Sequence, residues 1–163
     1  MVQSRTEWHK VEGKEVKTAF LGEYRHNLDA KDRLIIPARF REVLSPAFYV
    51  TRGLDGCLAV YNSDAWQAKM AELAKLPHTR REVRLYIRSI TSKAVESELD
   101  GQGRLQLPQF LVDIAGIDKP CVIVGCSDYF EIWSEQRWDS FDSEADDSFE
   151  ANAEAMTELL EKL

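Results

Sequence analysis

Residues 27–40 read NLDAKDRLIIPARF: an apolar residue, an Asp, a short polar run, an Arg, an alternating strand and a proline. Residues 98–111, ELDGQGRLQLPQFL, repeat that scheme. An offset of 71 lays Leu28 on Leu99, Asp29 on Asp100, Arg33 on Arg104, Leu34 on Leu105, Ile36 on Leu107 and Pro37 on Pro108. With one residue inserted, an offset of 72 lays CLAVYNSDAW (57–66) on YFEIWSEQRW (129–138), so that Leu58 meets Phe130, Val60 meets Ile132, Tyr61 meets Trp133 and Trp66 meets Trp138. The chain is built from two copies of one unit of about 45 residues, and such repetition governs the fold before local propensity does.

Each unit predicts strand, loop, strand, short helix, strand, turn, strand, helix. Alternation at Phe20, Gly22, Tyr24, His26 and Leu28, and at Val95, Ser97 and Leu99, marks half-buried strands entering the loops. Leu34 and Ile36, then Leu105 and Leu107, continue the period of two. Pro37 and Pro108 end those strands and open short helices carrying Phe40, Val43 and Leu44 in one unit, Phe110, Leu111 and Ile114 in the other. Gly53 and Gly56, and Gly125 with Ser127 and Asp128, supply the turns of the second hairpins.

Between the units, Asn62 or Ser63 caps a helix bearing Trp66, Met70 and Leu73, which LPHT (76–79) ends. A second helix places Val83, Tyr86, Ile87 and Ile90 on one face, with Arg80, Arg81, Arg84 and Arg88 away from it. The expected organisation is a flexible extension over 1–17, repeats over 19–66 and 93–138, connecting helices over 67–92 and an acidic tail over 139–163. Short strands cannot bury both faces alone, so the two units are expected to intertwine into one α+β, β-rich, barrel-like body with helices outside.

Composition removes several function classes. The 163 residues suffice for one domain with a sizeable core, and 44% are hydrophobic. No apolar run approaches the roughly 18 residues of a membrane span, and the first twenty residues lack the apolar centre of a signal peptide. A cytoplasmic protein is expected. Three cysteines, Cys57, Cys121 and Cys126, without CxxC spacing, point to buried thiols rather than disulfides or zinc. The scattered His9, His26 and His78 give no metal spacing. There is no phosphate loop, dinucleotide fingerprint or nucleophile elbow, so neither a cofactor nor catalysis is expected.

Net charge is −7, but it is divided. Residues 1–93 carry 17 Lys+Arg against 11 Asp+Glu, a balance of +6, and residues 94–163 carry 4 against 17, a balance of −13. Exposed charges farther apart than a Debye length are largely screened, so an acidic tail is compatible with a local basic face.

The doubled L-D-x-x-x-R-[LI]-x-[IL]-P motif, with GCSDYFEIWSEQRW (125–138) closing the second copy, resembles the MraZ family of bacterial transcriptional regulators over residues 19 to about 140. The resemblance implies two tandem AbrB-like swapped-hairpin units and a ring of subunits. It implies binding to short, G-containing direct repeats upstream of a cell-division and cell-wall gene cluster, hence a nucleoid-associated regulator. It places DNA contact in the loops Asp29–Arg33 and Asp100–Arg104.

In a tight loop, an Asp four residues before an Arg can accept backbone N–H bonds and aim a guanidinium whose fork fits two phosphate oxygens or guanine O6 and N7. Asp29 and Asp100 are read as loop-structuring, because a carboxylate facing DNA is repelled, and Gly103 joins them. Arg33 and Arg104 are read as DNA contacts, with Lys31, Arg25, Arg39 and the neighbouring Arg41 thickening the patch. Asp32 stands where the second loop has Gly103; if that position needs positive φ, Asp is tolerated there at a greater cost than Gly. The alternative is an AbrB-like interaction or antitoxin-type module, whose acidic tail and arginine helix bind protein partners while the loops only close hairpins.

Overall fold

The computed structural model describes residues 7–11, 14–18 and 20–163. Of the extension expected over 1–17, residues 1–6, 12 and 13 lie outside the described residues, as does Ala19, where the first repeat is expected to begin. The backbone of β1 (Glu7–Val11) pairs antiparallel with β2 (Lys14–Thr18).

The first unit then runs β3 (Glu23–Asn27), β4 (Arg33–Ile35), α1 (Ala38–Leu44), β5 (Phe48–Arg52) and β6 (Leu58–Asn62). Helices α2 (Ser63–Ala74) and α3 (Arg81–Thr91) lead to the second unit: β7 (Val95–Ser97), β8 (Arg104–Gln106), α4 (Gln109–Ala115), β9 (Pro120–Gly125) and β10 (Phe130–Ser134). Helices α5 (Glu135–Asp147) and α6 (Phe149–Glu161) follow. Helix α5 runs straight through the boundary expected at 138/139, because Ser134 caps it by accepting from the N–H of Arg137 at 3.2 Å and nothing breaks it before Ser148. At the equivalent place in the first unit, Asn62 rather than Ser63 is the cap, accepting from Ala65 at 2.8 Å.

The strand order of the main sheet is β3-β9-β10-β6-β5-β7. The first strand of each unit therefore pairs with the third strand of the other, β3 with β9 and β7 with β5, all antiparallel. At the centre, Ala59 lies opposite Glu131, and these are repeat-equivalent residues. A separate ribbon, β4 with β8, centres on another equivalent pair, Leu34 opposite Leu105. Both ladders read the same from either end, so the units are intertwined about a pseudo-two-fold axis. No closed barrel is found among the described residues where a barrel-like body was expected. Among the described residues the six-stranded sheet is open, with β3 and β7 as its edges, because each edge strand leaves through a loop into the separate β4–β8 ribbon.

One core joins the units. Phe20, Leu34, Ile36, Phe40, Leu44, Phe48, Leu58, Leu105, Leu107, Leu111, Phe130 and Ile132 are buried together, each worth roughly 1.5–3 kcal/mol of apolar burial. Phe20, Phe40 and Phe130 meet with ring centroids 5.0–5.2 Å apart. In α1, Phe40, Val43 and Leu44 face inward as expected. In α4 the inward residues are Leu111, Val112 and Ala115, while Phe110 is 41% exposed. The correction follows from register: Pro37 plus three is Phe40, and Pro108 plus three is Leu111, so Phe110 takes the outward position of Arg39. The alternation expected from Phe20 is likewise shortened. Only an isolated bridge joins Phe20 to Ser127, and the strand begins at Glu23.

Candidate nucleic-acid interface

Both loops have the same internal geometry. The N–H groups of Lys31 and Arg33 donate to Asp29 Oδ1, each at 2.9 Å, and Arg33 Nε donates to Asp29 Oδ2 at 2.6 Å. In the second loop the N–H groups of Gln102 and Arg104 donate to Asp100 Oδ1, each at 2.9 Å, and Arg104 Nε donates to Asp100 Oδ2 at 2.7 Å. Backbone bonds close each turn, Asp29 N–H to Arg33 O and Asp100 N–H to Arg104 O, both 3.0 Å. Each carboxylate thus binds the loop backbone from inside and takes the Nε edge of its arginine. The Nη edge remains as the fork that can meet an acceptor outside the loop.

Electrostatics agree with that geometry. Partial desolvation pushes the Asp29 carboxyl up, but the Arg33 and Lys31 N–H groups and the Arg33 guanidinium outweigh it and hold the group below its ordinary value. For Asp100 the N–H of Arg104 is the largest influence, and with the Arg104 guanidinium and the Gln102 N–H it also lowers the group, against a smaller desolvation.

The β4–β8 ribbon sets the loops side by side. Arg33 lies opposite Gln106, and Ile35 opposite Arg104. Beyond the ribbon, Ile36 N–H donates to Gly103 O and Leu107 N–H to Asp32 O, at 3.0 and 2.9 Å. Arg104 Nη1 stands 3.9 Å from Asp29 Oδ2, and Gln106 Nε2 donates to Lys31 O at 3.3 Å. Two arginine forks, side-chain exposures 26% and 23%, therefore share one ribbon end across the pseudo-axis.

The remaining candidates are distributed unevenly. Lys31 sits exposed at the first loop's tip, and Arg39 is exposed on α1. Arg25 lies outside this cluster: its guanidinium meets Asp139 of α5 at 2.8 Å, Glu135 at 3.5 Å and Glu23 at 3.6 Å. Its hydrogen bond to Asp139 is the main cause of a raised pKa. Gly103 and Asp32 both adopt positive φ, 75° and 57°. Arg41 donates from Nε to Ile36 O at 2.8 Å, and its guanidinium covers the face of Gly103, in the other unit's loop. Sequence proximity suggested Arg41 for the first loop; only strand exchange brings it to the second. Gln106 carried a weaker signal, as the outward residue of β8 where β4 has Ile35.

Two intertwined units, each presenting an Asp-fastened arginine on a shared ribbon, define a class of tandem-repeat proteins. The profile described as "MraZ protein, putative antitoxin-like" matches residues 19–88 and again 90–160. The chain belongs to the MraZ family. It is similar to the transcriptional regulator MraZ of Ligilactobacillus salivarius, 49% identical over 140 residues, covering 86% of this chain and 98% of that protein. The proteins of the same name from Desulforamulus reducens and Moorella thermoacetica are each 48% identical, over 141 and 140 residues. Those alignments cover 86% of this chain and 99% and 98% of theirs.

Proposed function

We propose that this chain is a sequence-specific, DNA-binding transcriptional regulator. It reads short direct repeats in the promoter of a cell-division and cell-wall gene cluster, acting in the cytoplasm on the nucleoid as a homo-oligomeric ring. The observation that carries the proposal is the pair of guanidinium forks, Arg33 and Arg104, each fastened through Nε by its own Asp on one ribbon. An arginine fixed on one edge is pre-organised to place two donors on guanine O6 and N7 or on a phosphate. Lys31 and Arg41 add positive charge at the two loops, Arg39 adds an exposed cation on α1, and Arg25 is committed to α5.

One chain offers few contacts, and non-specific binding at that level is typically about 10⁻⁴ to 10⁻⁶ M. Several subunits engaging repeats together raise avidity by roughly 10² to 10⁴. The test is retardation of the chain's own upstream DNA carrying one, two or three repeats, against scrambled DNA, at several salt concentrations. Affinity that climbs steeply with repeat number supports the proposal. Equal affinity for native and scrambled DNA removes it, and favours the antitoxin-like interaction module that the family description suggests.

A further inference from the structure

Helix α6 carries Phe149, Ala153, Met156, Leu160 and Leu163 at alternating steps of four and three residues, a single apolar seam along the helix and its last residues. All are exposed, Phe149 at 69% and Leu160 at 64%, as is the adjoining Leu159. Among the described residues no hydrogen bond or ion pair ties α6 to another element. Residues 149–163 hold Glu150, Glu154, Glu158 and Glu161 against Lys162 alone.

Helix α3 has the opposite character. Its apolar stripe is fully buried only at Ile90, whose carbonyl accepts from Thr51 Oγ1 at 2.6 Å; Val83, Tyr86 and Ile87 remain half-covered. Beside that stripe stand Arg81, Arg84 and Arg88, with Leu85 exposed between them. Arg84 donates to the carbonyls of His78 and Thr79, and Arg80 pairs with Glu82, which leaves Arg81 and Arg88 as the outward cations of the helix. Those two are seven residues apart, as are Glu154 and Glu161 of α6. Two turns in each case give about 10.5 Å, and the helices, about 20 and 16 Å long, match in reach.

We propose that α6 of one copy packs along α3 of a second copy. The seam from Phe149 to Leu163 then covers the half-open Val83, Tyr86 and Ile87, and the α6 glutamates meet Arg81 and Arg88. Pairing α6 with another α6 is opposed by its own charge, because it sets four glutamates against four. The contact joins unlike surfaces: exchanged reciprocally it closes as a two-fold pair, and passed head to tail it closes as a ring. It deepens the homo-oligomer in the proposed function by naming the surfaces that build it, and it does not depend on what the loops bind.

The test is a charge exchange read as solution mass by light scattering, on full-length protein. Wild type is expected well above the 18.7 kDa of one chain. R81E/R88E and E154R/E161R are each expected to fall to smaller species, with unchanged circular dichroism reporting intact folds. Mixing the two variants is expected to recover a larger species, since an acidic α3 on one copy then meets a basic α6 on the other. A monomeric wild type overturns the proposal. So does an unchanged mass for E154R/E161R, or a recovery seen only when all four changes lie in one chain, which assigns the contact to a fold-back within a subunit. Retardation of upstream DNA, followed in parallel with R33A, tests the loops separately, because that substitution leaves mass unaltered under either outcome.

Discussion

The Arg41 guanidinium occupies the space that a side chain on Gly103 would need, although the two residues belong to different repeats. Arg41 is held there by its Nε bond to the carbonyl of Ile36, the same residue whose N–H donates to Gly103 O and ties the loop to the ribbon. The repeat equivalent of Arg41 is Val112, which is buried. The first loop thus has no matching guanidinium over Asp32, and the loops differ in charge as well as sequence.

Gly103→Ala is therefore expected to cost about 2 kcal/mol or more, from positive φ and from displacement of Arg41 together. Gly101→Ala, with open space around the added carbon, should stay within about 0.5 kcal/mol. Urea denaturation of both variants makes the comparison, and equal losses would show that neither the positive φ nor Arg41 resists the added carbon.

Asp32→Gly removes an L side chain from positive φ and a carboxylate from the loop tip. The conformational relief is offset by the freedom glycine gives the unfolded chain, so stability should move by less than about 1 kcal/mol. Affinity for upstream DNA should rise. Fluorescence anisotropy measures it, and an unchanged dissociation constant means that Asp32 does not face the phosphates.

Arg33→Ala and Arg104→Ala are each expected to weaken specific DNA binding by about 1–3 kcal/mol per engaged loop. Asp29 and Asp100 keep their backbone donors in these variants, so thermal stability should change little. If the forks meet phosphate, each substitution lowers the slope of log K against log salt by about 0.9 per contact; if they meet bases, the slope holds and discrimination falls. Wild-type affinity in both variants would dispose of the loop assignment.

Because Asp29 and Asp100 are held below the ordinary carboxylate value in the folded chain, they contribute stability that is fully present above about pH 4 and lost as pH falls through their native values. Between those limits the unfolded chain binds more protons, so stability rises with pH. The melting temperature of wild type should drop faster between pH 5 and about pH 3 than that of Asp29→Asn/Asp100→Asn. Parallel curves would assign acid sensitivity to other carboxylates.

The repeat made most of the architecture legible. Two helices opening behind Pro37 and Pro108, two hairpins and two intertwined units could be anticipated from the offsets of 71 and 72 alone. Asp29 and Asp100 could be read as loop anchors because a carboxylate in a tight turn can accept the loop's N–H bonds, as each does from two of them, and is repelled by DNA. Three features were not legible. Phe110 looked like core by hydrophobicity, but its position is set by the register of Pro108, which puts Leu111 inside. Arg25 looked like part of the basic patch because it is near Arg33 in sequence, yet β3 aims it at α5, 114 residues away at Asp139. Arg41 reaches the second loop only through strand exchange, which no local pattern encodes.

The central pair of the main sheet carries a different lesson. A symmetric dimer must meet itself across its axis, so any glutamate there would confront an identical glutamate. In this chain the two sides of the axis are written separately, and Ala59 stands opposite Glu131. That carboxylate is free of a twin and serves its own neighbours, accepting from Trp133 Nε1 at 3.1 Å and lying 3.4 Å from Cys57 Sγ. Covalent fusion of the halves thus gives each half licence to diverge at the one place where self-association forbids it.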